Sequence, residues 1–358
     1  MGLAIAQHLA QQGREVIILE AEPAMGTQTS TRNSAVSHAG LYYPPGSLKA
    51  RLCVAGKAML DAFCITWQVP HRLCGKLVVA TEAAQLERLQ HLLHNARCCG
   101  VADIQWLEKD AVQAKEGAVR CEAALFSPRT GILDCQAYML ALLAQAEAAG
   151  AVLLCHAPVT GGLITARGVM LEVSGSSPCQ LLAHRVINSA GLGAHHVAGT
   201  LGGFPKHLIP PLYLAKGNYF ALHARHGFNH LVYPLPDHHS LGIHLTLDLA
   251  SRVRFGPDVE WLDTSCAGQV SLDADPGRAP AFYSAIRQYW PDLPDESLYP
   301  DYAGIRPRMH GPNQRACDFR IDGPQHHGIP GLVHLFGIES PGLTASLAIA
   351  EHVAALLG

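Results

Sequence analysis

The chain has 358 residues, a formal net charge of −3, 49% apolar residues and 15% charged ones. That length exceeds what one hydrophobic core usually serves, so two domains, or one carrying a large insertion, are expected. The near-neutral charge gives no basis for nucleic acid or an anionic membrane as partner, no apolar run reaches the length of a membrane span, and no signal-peptide pattern opens the sequence. The expectation is a cytoplasmic protein, with peripheral contact to the inner membrane left open.

Met1 to Gly13 reads as a helix, and Arg14-Glu15-Val16-Ile17-Ile18-Leu19-Glu20 as a buried strand ending in an acid. This is the second half of a dinucleotide-binding unit, in which a strand runs into G-x-G-x-x-G and an acid roughly 20 residues on holds a ribose hydroxyl. Gly2 stands where the last glycine belongs and Glu20 where the acid belongs. The opening strand and first two glycines are absent, about a dozen residues by usual strand length. The same pattern also fits plain α/β core.

Gly26 to Ser34 follows as a polar loop rich in hydroxyls, able to donate hydrogen bonds to a phosphate or a heteroaromatic ring. Ser47 caps a helix whose apolar face is Leu48, Leu52, Ala55, Met59 and Phe63, leaving Lys49 and Lys57 off that face. Gly75 to Ala80 is a strand and Glu82 to Gly100 an amphipathic helix. Asp134 caps a helix reaching Gly150, and Ala151 to Cys155 is a strand, so the helix-then-strand pattern returns, as if the nucleotide domain resumed after an insertion. Gly168 to Val173 and Arg185 to Asn188 are further strands, the latter running into Ser189-Ala190-Gly191.

From about Pro210 to Pro300 short strands divided by prolines and glycines signal an antiparallel, mixed substrate domain. Within it Ile243, Leu245 and Leu247 alternate with His244, Thr246 and Asp248, so the polar face can wall a pocket. Gly331 to Phe336 is a strand, followed by a glycine-rich turn and a helix reaching Leu357. The free N–H groups and positive dipole end at Gly342, Leu343 and Thr344 would favour an anionic group.

Eleven cysteines without C-x-x-C spacing fit neither a disulfide framework nor a zinc site, and read as reduced, mostly buried thiols. The 21 histidines invite a metal, especially His226 and His230 at i,i+4 spacing, but Gly227 interrupts that segment and no carboxylate or cysteine cluster accompanies the pair; no metal is expected.

Thr31-Arg32-Asn33-Ser34, His38 to Tyr43, Ser47 to Cys53, Gly242 to Thr246, Gly304-Ile305-Arg306-Pro307 and Phe336 to Thr344 together resemble the FAD-dependent oxidoreductases of the D-amino-acid oxidase superfamily, most closely the L-2-hydroxyglutarate dehydrogenase/oxidase family. The resemblance implies an α/β (α+β) protein: a discontinuous Rossmann-like FAD domain over residues 1–69, 131–207 and 301–358, its first strand truncated, and an inserted antiparallel β-rich substrate domain over 70–130 and 208–300. It implies that Gly2 and Glu20 face the pyrophosphate and ribose, and that Thr31, Arg32, Asn33 and Ser34 line the phosphates and ring. Val159 would meet adenine through its backbone, Ala190 and Gly191 would make a second close approach, and Gly337 with Gly342 to Thr344 would oppose the flavin pyrimidine. With the first strand absent, the expectation is that the protein begins upstream and that the chain as numbered holds FAD weakly or not at all.

Oxidising a 2-hydroxy acid needs a cation for the carboxylate, a base for the hydroxyl proton and a hydride acceptor. Arg306 can offer a planar fork to the carboxylate, and the superfamily uses this position that way. His244 is the preferred base because imidazole titrates near working pH, and His38, in the flavin-adjacent segment, is its rival. Lys216 or Lys49 would meet a second carboxylate, unless both are solvated surface lysines, while Tyr43, Tyr219 and Tyr233 shape the pocket. Electrons would pass to a quinone-like acceptor or oxygen. An amino-acid or amine oxidase on the same fold and a flavin-free remnant acting as a binding protein are the alternatives.

Overall fold

The computed structural model describes residues 1–235, 242–263 and 271–358. Helix Leu48–Thr66 begins where Ser47 Oγ accepts the Ala50 N–H at 3.2 Å, and Asp318, distant in sequence, accepts the Leu48 and Lys49 N–H groups at 2.7 and 2.8 Å. Its buried face differs from the expected one. Leu52 and Phe63 are buried, but Ala55 is exposed, and the face runs through Cys53, Gly56, Leu60 and Cys64. Lys49 and Lys57 are buried on it too, because Glu339 and Asp61 supply their counter-charges. Gly56 is where this helix meets helix Gly342–Leu357: a Cβ there would lie 2.5 Å from the Thr344 carbonyl oxygen.

The first helix, Gly2–Gln11, packs on helices Cys135–Ala148 and Gly342–Leu357 through Ala4, Ile5 and Leu9. Strand Ile17–Leu19 pairs in parallel with Val152–Leu154, and Val186–Asn188 in parallel with Leu332–Phe336, so the helix-then-strand repeats form two separate parallel ladders. Asp134 caps helix Cys135–Ala148 as expected, accepting from Gln136 and Ala137 at 2.9 Å.

A nine-stranded mixed sheet carries the middle of the chain. Its order is Glu260–Leu262, Tyr213–Leu222, Val253–Phe255, Leu245–Leu247, Leu231–Pro234, Lys76–Ala80, Ala123–Ser127 and Gln105–Glu108, with Leu298–Arg308 also on Tyr213–Leu222. Residues 70–130 and 208–300 therefore share one sheet. The strands are not all short, since the ladder between Tyr213–Leu222 and Leu298–Arg308 runs nearly their whole length. That ladder also carries residues 301–308, Arg306 among them, across the expected boundary at 300 and into this sheet. Both faces of Leu245–Leu247 are covered, so Thr246 is as buried as its apolar neighbours.

The two largest apolar clusters follow this layout. One joins Leu77, Phe126, Phe220, Val232, Leu245 and Tyr289; the other joins Ile5, Leu60, Tyr138, Val333 and Ile349. No disulfide forms among the described cysteines; Cys53, Cys64, Cys121 and Cys135 are buried, but Cys98 and Cys179 are exposed, so fewer thiols are covered than expected. Among the described residues no helix is long and apolar enough to cross a membrane.

Candidate active site

Helix Gly342–Leu357 starts at Pro341 without a side-chain cap, so the first-turn N–H groups of Leu343 and Thr344 have no intrahelical acceptor. Thr344 is fully buried and its Oγ1 accepts the His38 N–H at 2.9 Å, which ties the segment after strand Val36–Ser37 to this helix start. His38 Nε2 lies 3.3 Å from Ser340 Oγ. The two stretches that carried the resemblance, 38–43 and 336–344, thus meet side by side.

Around His38 stand Lys76, His244, Tyr42 and Tyr233. Lys76 opens the fully buried strand Lys76–Ala80 and is 1% exposed. Its Nζ lies 4.8 Å from the Tyr42 ring centre and 4.7 Å from that of Tyr233. The His244 ring stacks flat on Tyr233, centroids 3.6 Å apart and planes 6° apart. Burial, then the charges of Lys76 and His244, hold the His38 imidazole well below its ordinary range and therefore neutral. Burial pulls the Lys76 ammonium down to about 7. Burial likewise raises the Tyr42 and Tyr233 phenols, keeping both protonated.

Arg306 approaches from the long ladder beside Tyr219. Its Nη2 donates to the Asp258 carbonyl oxygen at 2.5 Å and to that of Lys216 at 3.4 Å, while Nε donates to Ala215 O at 3.4 Å. Three backbone acceptors hold the half-buried guanidinium, and burial, then the neighbouring Arg308 charge, lower its pKa from the usual value. Nε and Nη2 are thus engaged by backbone carbonyls, and among the described residues Nη1 makes no hydrogen bond within the protein. Tyr219 Oη lies 3.0 Å from Ser34 Oγ and its ring stacks on Tyr302, so the polar loop reaches the same place.

The other expected residues fall into two groups. Thr31 Oγ1 donates to Gly26 O at 2.6 Å, Asn33 Nδ2 to Ser30 O at 2.8 Å, and Arg32 presses its carbonyl against Gly304, where a Cβ would lie 2.0 Å away. These bonds fold the loop upon itself and onto strand Leu298–Arg308. Glu20 Oε1 accepts the Glu22 N–H at 3.0 Å just past strand Ile17–Leu19, and Val159 and Leu19 both pack against the cluster of Val169, Leu171 and Phe336. Tyr43 hydrogen-bonds Ser340, near Glu339.

Lys49 and Lys216 are not solvated surface lysines: each is 7% exposed. Nor is Lys49 available to a substrate, because its Nζ lies 3.2 Å from Glu339 Oε1 and 2.8 Å from Cys317 O. Glu339 also takes Arg308 Nε at 3.3 Å. Burial raises the Glu339 carboxyl, but Lys49, Arg308 and Arg306 outweigh it and leave the group below the usual carboxylate range. Sequence reasoning missed Lys76, Tyr42, Arg308 and Glu339; the one signal was a lysine opening an otherwise apolar strand. His226 and His230 share no helix, and His230 Nδ1 instead meets Glu116 Oε1 at 2.6 Å. Among the described residues no cluster of histidine, cysteine and carboxylate is placed to hold a metal.

Close backbone approach marks a second feature of this region. A Cβ on Gly2 would lie 2.9 Å from Ser189 Oγ, and Gly191, at φ +57°, opens onto free space after strand Val186–Asn188. An exposed Ala190-Gly191 turn and an uncapped helix start offer backbone donors, and the acid at a strand end an acceptor, which together with the tight glycine contact suit an extended dinucleotide. Fold and site together define a flavin-dependent oxidoreductase.

The profile of the family described as FAD dependent oxidoreductase (DAO) matches residues 1–356, and the chain belongs to that family, with FAD as its cofactor. It is similar to the mitochondrial L-2-hydroxyglutarate dehydrogenase of Arabidopsis thaliana, 42% identical over 389 residues spanning 99% of this chain and 80% of the relative. It is 28% identical to L-2-hydroxyglutarate dehydrogenase of Escherichia coli strain K12, over 94% of this chain and 86% of the relative. Among solved structures, L-alpha-glycerophosphate oxidase from Mycoplasma pneumoniae superposes with a TM-score of 0.86 at 22% identity, covering 99% of this chain and 91% of that one. Glycine oxidase from Geobacillus kaustophilus gives 0.81 at 19% identity, with the same coverage. These two likenesses carry the fold, an α/β FAD-binding unit with an inserted β-rich part.

Proposed function

We propose that this protein oxidises a small 2-hydroxy acid, L-2-hydroxyglutarate or a close analogue, to the 2-oxo acid. The observation that carries the reading is the meeting of a half-buried arginine, a neutral imidazole and the uncapped helix start around one site, in a chain 42% identical to a relative named for L-2-hydroxyglutarate. When bound, FAD supplies the two-electron acceptor for the hydride that leaves the α-carbon. Arg306 Nη1 fixes the α-carboxylate, with Tyr219 beside it. His38 takes the hydroxyl proton: it is neutral, its backbone is fixed by Thr344 and its Nε2 faces the shared site. Support thus shifts from His244 to its rival, because one face of the His244 ring is covered by Tyr233 and both together form a wall.

The residues that would hold FAD are Gly2, Glu20, Thr31 to Ser34, Val159, Ala190, Gly191, Gly337 and Gly342 to Thr344. The division into a FAD part (1–69, 131–207, 301–358) and a substrate part (70–130, 208–300) is part of this reading, with Leu298–Arg308 shared between them; the core of Ile5, Leu60, Tyr138, Val333 and Ile349, drawn wholly from the FAD part, supports it. A quinone-like acceptor or oxygen would reoxidise the flavin. A cytoplasmic location peripheral to the inner membrane belongs to the proposal too, tested by cell fractionation.

Anaerobic mixing with L-2-hydroxyglutarate is expected to bleach the flavin, and glycine or D-amino acids are not; bleaching by the amino acids alone would replace this reading with an amino-acid oxidase. Replacing His38 by Ala is expected to lower the bleaching rate by about 10²–10⁴-fold, the usual contribution of a positioned base, with a smaller loss for His244→Ala. The opposite order would return the base to His244.

A further inference from the structure

Among the described residues, one cation has surroundings that the assignments above leave unexplained. Lys76 is buried at the start of an apolar strand in the nine-stranded sheet, and no carboxylate lies within ion-pair distance of it among the described residues. Its neighbours are the faces of Tyr42 and Tyr233, 4.8 and 4.7 Å from Nζ, with His38 and His244 next to them. Aromatic faces attract an ammonium group, but they neutralise no charge. A desolvated cation without a counter-anion is costly, and the cost is relieved when an anion enters. The other cations considered for a second carboxylate do not share this position: Lys49 already has Glu339, and Lys216 lies inside the ladder whose carbonyl oxygens hold Arg306.

We infer that Lys76 is the specificity-determining cation for a second carboxylate, so that the site selects 2-hydroxy dicarboxylates over monocarboxylates, with Arg306 at one end of the substrate and the Tyr42–Lys76–Tyr233 sandwich at the other. This rests on the substrate reading above. Tyr233 links the two ends: its ring stacks on His244 and takes the Lys76 ammonium over its face, and its phenol interacts with that of Tyr219, the neighbour of Arg306.

The test uses the FAD-loaded protein and two inert probes, glutarate and butyrate, whose binding is read from perturbation of the flavin absorbance. The wild type is expected to prefer glutarate, Lys76→Met to lower the glutarate-to-butyrate affinity ratio by about 100-fold, as for a lost charge-assisted contact in a dry site, and Lys76→Arg to retain most of it. In the wild type the ratio is expected to fall as pH rises through about 7, where Lys76 loses its charge among Tyr42, Tyr233, Cys53, His38 and His244, and in Lys76→Arg it is expected to hold. No preference in the wild type, or a preference that survives Lys76→Met, would overturn the inference. The flavin-bleaching assay is scored separately, so a chain bleached only by amino acids would overturn the hydroxy-acid reading while the probe ratio still judges Lys76.

Discussion

Lys49 and Lys76 are both buried, 7% and 1% exposed, yet the protein treats their charges in opposite ways. Lys49 sits in a closed circuit: Glu339, Arg308 and the Cys317 carbonyl surround it, and Asp318, one residue on, caps the helix from which it projects. Lys76 has two aromatic faces and a pair of imidazoles. The first arrangement fastens strand Leu298–Arg308, helix Leu48–Thr66 and the 337–341 loop together. The second has no carboxylate among the described residues to balance its charge beside the residues proposed to handle substrate. A buried charge with its partner built in marks structure; one without marks a place where something else arrives.

The comparison is broken most forcefully by alkali. A lysine whose folded pKa lies near 7 against 10.5 unfolded imposes its full penalty below about 7, and stability rises as pH climbs from about 7 to 10.5, because the unfolded chain binds the extra proton there. A fall of that size corresponds to roughly 5 kcal/mol. Denaturant unfolding of the wild type is expected to show this rise and Lys76→Met to lack it; parallel curves would mean that Lys76 is not desolvated as the structure has it.

Glu339→Gln attacks the other lysine. Removing the carboxylate leaves Lys49 and Arg308 facing one another without compensation, and breaking a buried pair in this way costs roughly 3–5 kcal/mol. The sign with pH is opposite to that of Lys76. Glu339 is depressed in the folded state, so its contribution is complete above the unfolded value of 4.5 and is lost as pH falls through the lower folded pKa. Glu339→Gln is therefore expected to lower the midpoint of denaturant unfolding at pH 7 and to flatten the acid limb. An unchanged midpoint would reduce the circuit to a surface pair.

Much of this architecture was legible in the sequence because it is local. Ser47 and Asp134 announced their helices, the alternation of 242–248 placed Leu245 and Leu247 inside, and the 304–307 motif singled out Arg306. What escaped depends on pairings across hundreds of residues. Lys49 looked like a solvated residue because Glu339 lies 290 positions away, and the apolar face of its helix was misjudged for the same reason. The acceptors on Arg306 belong to Ala215, Lys216 and Asp258, and no spacing rule connects them to it. Lys76 was visible only as an oddity, a lysine where a strand should be apolar, and its meaning depends on Tyr42 and Tyr233 arriving from other elements.

The smallest effect tests how much of the Lys49 side is redundant. Ser47 is a standard cap whose loss alone would cost about 1 kcal/mol. Here, however, the Ser47 hydroxyl accepts from only one helix N–H, that of Ala50, while donating to Pro44 O at 2.6 Å, and Asp318 satisfies Leu48 and Lys49 at 2.7 and 2.8 Å. Two of the orphan donors at this helix start therefore keep their acceptor when Ser47 is changed. Ser47→Ala is expected to cost roughly 0.5 kcal/mol, at the low end of the range for caps, and Asp318→Asn more, because the carboxylate accepts from two N–H groups and faces the positive end of the helix. If the order is reversed, with Ser47→Ala the costlier change in denaturant unfolding, the helix start is held locally, and the long-range circuit around Lys49 is an addition to a helix that stands without it.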